Sequence, residues 1–144
     1  MLFNLFTQQL FVYLAVAFHV ETTGGYISEI GVIRYQRVLT NEGSGLQRNS
    51  EFVAPLSGVY YFLTDSLDIF RRSGQFSIRK NGEIVSRSRI IKHWNSIQSV
   101  VLFLQKGDRV DSFYNREENP RKSKTKMRSD DDVSIFLGFR MGPN

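Results

Sequence analysis

An all-β sandwich or jelly roll is the fold class this sequence predicts, on three observations. Short apolar runs are punctuated at even intervals by turn residues. No apolar stripe with helical spacing survives over three turns anywhere. Asn81-Gly82, set between two extended stretches, is a strong hairpin signal, because Asn-Gly accepts the positive φ angles of a type I′ turn. The chain has 144 residues, 41% hydrophobic and 23% charged, which suits one domain. For a mass of 16.7 kDa, folding removes about two-thirds of the exposed surface, so a core forms without staples. With no Cys, disulfides and thiolate metal sites are excluded, although the compartment is not identified by that alone.

The elements follow in chain order. Residues 1–15 are apolar but interrupted by Asn4 and Thr7-Gln8-Gln9, and they stay outside the fold argument. The longest unbroken apolar run, Leu10 to Phe18, is too short to span a bilayer. It has the length of a signal-peptide core, and Ala15-Val16-Ala17 has the form of a cleavage site, but no Lys or Arg precedes it. The domain is read as 16–144, with an opening strand at Val16–Val20. Asn41-Glu-Gly-Ser-Gly45 is a loop, and Phe52-Val-Ala-Pro55 is a short extended piece ended by proline. Val59-Tyr-Tyr-Phe-Leu-Thr64 is apolar or aromatic at alternate positions of both phases, which suits a strand covered on both faces. Phe76–Lys80 and Glu83–Val85 are the arms of the hairpin. Ser99–Gln105 is a strand, turned by Lys106-Gly107-Asp108 into Arg109–Tyr114, and Val133–Phe139 closes the chain. The glycine in that last strand, Gly138, points to close approach of another backbone.

Lys+Arg outnumber Asp+Glu by 19 to 14, and the pI is near 9.7, so polyanionic partners are favoured without one being specified. Arg116 to Arg128 carries six cations and two anions and reads as a long loop between strands: either a solvated loop or a polyanion contact. Asp130-Asp-Asp132 reads as an exposed acidic turn rather than a calcium site, because neighbours in an extended segment point to opposite faces. Of the two histidines, His19 reads as a packing or hydrogen-bonding residue. His93 stands beside Trp94, the only tryptophan, and the pair is either a sugar-stacking contact or a loop anchor. Without Cys, a His cluster or a phosphate-cradling glycine loop, nothing points to catalysis or to a metal. The aromatics lie inside apolar runs rather than among cations, so nucleic acid is not favoured.

Set in order, the motifs are those of a known family. Arg34-Tyr-Gln-Arg-Val-Leu-Thr-Asn-Glu-Gly43 followed by Phe52-Val-Ala-Pro-Leu-Ser-Gly-Val-Tyr-Tyr-Phe62 resembles the globular head of the C1q family. Lys80-Asn-Gly-Glu83, Val101-Leu-Phe-Leu-Gln-Lys-Gly-Asp-Arg-Val110 and Ser134-Ile-Phe-Leu-Gly-Phe139 continue the likeness, and Val16-Ala-Phe-His-Val20 resembles its opening strand. The resemblance covers roughly residues 16–141. It implies a ten-stranded jelly roll of the C1q and tumour necrosis factor superfamily, trimeric and extracellular, and binding rather than catalysis. Leu46 and Ser50 stand near the places of the family's usual aromatic and glycine, which points to a different loop path there. Some members bind Ca²⁺ through an aspartate before the V-L-x-L strand. Here Ser86 to Ser99 has no acidic residue, only Arg87, Arg89, Lys92 and His93, so no cofactor is expected and a basic apex suits an anion. With no Gly-X-Y run in the sequence, the likeness is to the stalkless, secreted members.

A trimer also accounts for the doubly apolar run, one face meeting the core and the other a neighbouring subunit. Tyr60, Phe62, Phe103, Phe136 and Phe139 are expected at the trimer interface or in the core. The expected function is recognition of microbial polysaccharide or another anionic surface through exposed loops, with Arg87, Arg89, Lys92, His93 and Trp94, and separately Arg121, Lys122, Lys124, Lys126 and Arg128, as ligand-binding residues. The competing class is a structural or signalling trimer that binds a protein receptor.

Overall fold

The computed structural model describes residues 15–23, 26–28, 31–66, 74–90, 96–116, 124–126 and 133–142. In chain order the strands are β1 (Ala17–Thr23), β2 (Tyr26–Ser28), β3 (Gly31–Val32), β4 (Arg37–Glu42), β5 (Phe52–Val53) and β6 (Gly58–Ser66). They continue with β7 (Gly74–Lys80), β8 (Glu83–Ile90), β9 (Ser96–Leu104), β10 (Arg109–Arg116), β11 (Lys124–Lys126) and β12 (Val133–Met141). Ten of them form two five-stranded antiparallel sheets, as the resemblance implied. The first runs β4-β1-β12-β6-β9; the second runs β3-β10-β7-β8, with β5 also paired to β10. The remaining two, β2 and β11, pair with each other.

Period-two alternation places the core between the sheets. From the first sheet come Phe18, Val20, Tyr60, Phe62, Leu104 and Phe136; from the second come Phe52, Phe76, Ile78, Val110 and Tyr114, all buried. Phe52 links the layers, stacked on Phe18 at 5.0 Å between centroids and edge-on to Tyr60 and Phe62 at 5.6 Å each. Fully burying one such ring contributes about 1.5–3 kcal/mol, so this aromatic cluster is the main apolar bond between the two sheets.

The opening strand, the F-x-A-P piece, the hairpin arms, the V-L-F-L strand, its turn-linked successor and the closing strand all stand where the sequence places them. Three features differ. β11 lies inside the stretch read as a continuous basic loop, its backbone paired to β2. β4 extends two residues into the stretch read as the 41–45 loop. At Gly138 it is aromatic rings, not backbone, that approach: a Cβ there would stand 2.6 Å from both Phe18 Cε1 and Phe62 Cδ1. The glycine makes room for the densest part of the aromatic core.

The departures at Leu46 and Ser50 have a structural reason. Ser50 has φ +66°, the left-handed conformation that glycine adopts freely, and its buried Oγ accepts a hydrogen bond from Tyr35 N at 2.8 Å. Leu46 is buried and forms an isolated bridge with Phe52. The loop is further held by Asn41, whose Oδ1 accepts from Leu46 N at 3.1 Å.

Candidate functional site

The outer face of the first sheet follows from its register. Residues paired across neighbouring strands project to the same side, so the non-core positions form rows. One row runs Met141, Val59, Phe103; the next Ala17, Phe139, Tyr61, Val101. A third runs His19, Leu137, Leu63, Ser99, and a fourth Glu21, Ile135, Asp65, Ile97. Across β1, β12, β6 and β9 two rows are wholly apolar or aromatic and the polar groups gather in the other two, while β4 sets exposed Glu42 beside Ala17 at the far edge. Val101 is 56% exposed, Phe103 60% and Phe139 41%, with Val59, Met141 and Ile97 exposed beside them. The Tyr61 and Phe139 rings touch at 5.3 Å. Scattered exposed hydrophobics need no explanation, but a continuous apolar sheet face marks an interaction surface.

The five residues expected at an interface or in the core thus divide. Tyr60, Phe62 and Phe136 are fully buried between the sheets, whereas Phe103 and Phe139 lie on the outer face. The run 59–64 is apolar in both phases for the reason read from it: Tyr60 and Phe62 point inward, Val59, Tyr61 and Leu63 outward. The polar rows hold Glu21, ion-paired to Arg37 at 3.0 Å, and Asp65, whose carboxyl is pushed above the usual range by burial. His19 Nε2 and Asp65 Oδ1 are buried there without a hydrogen-bond partner.

The second sheet presents a different outer face. Arg79 Nε and Nη2 donate to Asp111 Oδ1 and Oδ2, each at 2.8 Å, a bidentate pair, and the Arg79 guanidinium lies 3.9 Å over the Phe113 ring. The hydrogen bond to Asp111 raises the Arg79 pKa further, against the effect of burial, so this charge is permanent and internally neutralised. Arg87 lies beyond it, paired in register to Ser77 and exposed. Arg87 and Arg89 were expected in a recognition loop; both lie in strand β8, which runs to Ile90. Lys124 and Lys126 are in β11, paired to Ser28 and Tyr26. Lys92, His93, Trp94, Arg121, Lys122 and Arg128 lie outside the described residues. Most of the two expected cation groups thus falls outside the described residues.

Sequence reasoning missed the lock between the hairpin and the 105–109 turn. Asn81 Oδ1 accepts from Arg109 N at 2.8 Å, and Asn81 Nδ2 donates to Asp108 Oδ1 at 3.1 Å. Asp108 Oδ2 accepts from Gln105 N at 2.8 Å. That backbone donor, with Asn81, holds the Asp108 carboxyl below the usual carboxylate range. The K-N-G-E and G-D motifs were the available signal, each legible as a turn but not as partners.

The globular domain of zebrafish complement 1qA protein matches with a TM-score of 0.66 at 17% identity, covering 90% of this chain and 99% of that one. Murine APRIL matches with a TM-score of 0.65 at 13% identity, covering 88% and 99%. Eiger TNF from S. frugiperda matches with a TM-score of 0.55 at 14% identity, covering 89% and 93%. At these identities the likeness is one of fold. No curated protein matches this chain in sequence. The family model for the C1q domain, however, matches residues 17–141, the span that holds both sheets, the locked hairpin and the closing strand, and so the chain belongs to the C1q domain family.

Proposed function

We propose that this protein is a secreted, extracellular recognition module that binds and does not catalyse, needs no cofactor, and acts as a homotrimer. Three copies pack through the outer face of the first sheet and present their loop ends to a repetitive anionic surface such as microbial polysaccharide. The observation that carries this reading is the pair of apolar rows through Phe139, Tyr61 and Phe103, which a lone subunit leaves exposed. Membership of a family of binding domains supports the first part. The cation excess, 19 against 14, supports an anionic ligand, as do exposed Arg87 and the cations between 116 and 128. Trimerisation would let three weak sites act together, gaining roughly two to four orders of magnitude in avidity.

The test is a binding titration against immobilised lipopolysaccharide and a glycan array at increasing ionic strength. A polyanion contact loses affinity steeply as salt rises, because screening acts on exposed charges. Binding that holds at high salt would assign the protein instead to a receptor-binding class.

A further inference from the structure

β9 is the last strand of the first sheet: it pairs with β6 on one side, and among the described residues no strand pairs with the other. Its nine residues, Ser96-Ile-Gln-Ser-Val-Val-Leu-Phe-Leu104, contain no charge, no proline and no glycine. On an open edge such a segment is a template for a further strand. The register says which residues present their backbone there. Arg140 N donates to Val16 O at 2.9 Å, so the even-numbered residues of β12 bond β1 and the odd-numbered ones bond β6. The same alternation through β6 leaves Ile97, Ser99, Val101 and Phe103 with their N–H and C=O directed away from it.

One side chain reaches this edge from the other sheet. Lys80 pairs with buried Val110 and follows Phe76 and Ile78 in the inward phase of β7, a position where the pattern calls for an apolar residue. Its half-buried stem instead crosses to the first sheet, and Nζ donates to Phe103 O at 3.1 Å. The same ammonium stands 3.9 Å from Asp108 Oδ2, in the carboxylate that Asn81 and Gln105 N hold in place. An inward-pointing lysine at a strand edge is a known means of blocking edge-to-edge pairing.

We infer that the open edge of β9 is a surface for antiparallel addition of the same strand from a second copy of this chain, and that Lys80 is the guard against it. The occupant follows from the strand's own pattern. Pairing about Val100 sets Ile97 against Phe103 and Ser99 against Val101, so edge-facing residues meet edge-facing residues and no charge opposes a like charge. In that register each Ile97 N–H needs the Phe103 O of the other copy, the acceptor that Lys80 already holds. This goes beyond the proposed function, in which copies meet through side chains of the sheet's outer face rather than through backbone at its edge.

The experiment compares the full chain with Lys80→Met, which keeps the apolar stem and removes the ammonium, at equal concentration. The variant should form thioflavin-positive, sedimentable assemblies at least about tenfold faster than the parent, the equivalent of one charge-assisted hydrogen bond. Adding Ser99→Pro should return it to the parent's rate, because proline removes an edge-facing N–H that β6 does not use. Circular dichroism and thermal melts establish that each variant is folded. Hydrogen exchange on the parent tests the edge whatever the stability of the variants: the Ile97, Ser99 and Val101 amides should exchange freely, while those of Gln98, Val100 and Leu102 are protected by β6. The inference is overturned by protection of those three edge amides in the parent, by Lys80→Met assembling no faster, or by assembly that Ser99→Pro does not slow. Salt-sensitive binding of the parent to lipopolysaccharide, measured separately, reports on the proposed function independently of this edge.

Discussion

Tyr35 is 7% exposed, and its hydroxyl shares a hydrogen bond with Ser112 Oγ at 2.8 Å. Burial pushes its pKa from 10.0 up to about 12, with the Ser112 hydrogen bond acting the other way. Below pH 10 the phenol is neutral in both folded and unfolded chains, and the stability it confers is fully present. As pH rises towards 12 the unfolded chain ionises first, so that stability is lost through this window. Two pKa units correspond to about 2–3 kcal/mol. Tyr35→Phe should cost about 1 kcal/mol at neutral pH through the lost hydrogen bond, and should fall less than the parent between about pH 9 and about pH 12. Urea unfolding at each pH measures both, the difference isolating Tyr35 from the other tyrosines. Parallel curves would refute the assignment. The contact was not legible in the sequence, since Tyr35 meets Ser112 across 77 positions, and the left-handed Ser50 that holds its backbone N–H was signalled only by its standing near the family's usual glycine, not by its residue type.

At the scale of elements, local chemistry was readable and pairing between distant turns was not. Asn81 and Gly82 have φ +51° and +83°, as the Asn-Gly dipeptide predicts for a type I′ turn. Strands with strong apolar content, such as β6, β9 and β12, announced themselves. β4 and β11 did not, because Arg37-Val-Leu-Thr-Asn-Glu42 and Lys124-Thr-Lys126 lack an alternating apolar face and are recruited by β1 and β2. The hairpin's clasp on Asp108 and Arg109 is again non-local. Asn81→Ala combines the cost of a left-handed alanine with two lost side-chain hydrogen bonds and should destabilise the domain by about 2 kcal/mol. Asn81→Gly relieves the backbone term and should cost about half as much. Equal losses in denaturant titrations of the two variants would place the whole effect in the side-chain bonds.

At the scale of the whole molecule, the two phases of β6 do different work. The inward phase, Tyr60 and Phe62, belongs to the aromatic core that joins the sheets, so its removal threatens the fold. The outward phase, Val59, Tyr61 and Leu63, lies with Phe139, Val101 and Phe103 on a face that contributes nothing to the core of its own subunit. This separation makes assembly testable without unfolding. Phe103 is 60% exposed and pairs with Val59 at the edge of the apolar rows, so Phe103→Glu leaves the core untouched and places a carboxylate where a neighbouring subunit would bury it. Desolvating an unpaired charge at such a contact costs several kcal/mol, and the proposed three-fold arrangement would impose that cost once per subunit. The expected outcome is a parent protein that sediments at about three times 16.7 kDa and a variant that sediments as one subunit with an unchanged β-sheet circular dichroism spectrum. The variant should also lose avidity on a repetitive surface while keeping its single-site affinity. A parent that remains a single subunit at concentrations where the face is exposed would mean that these rows serve some other partner, and multivalency would no longer account for the protein's binding.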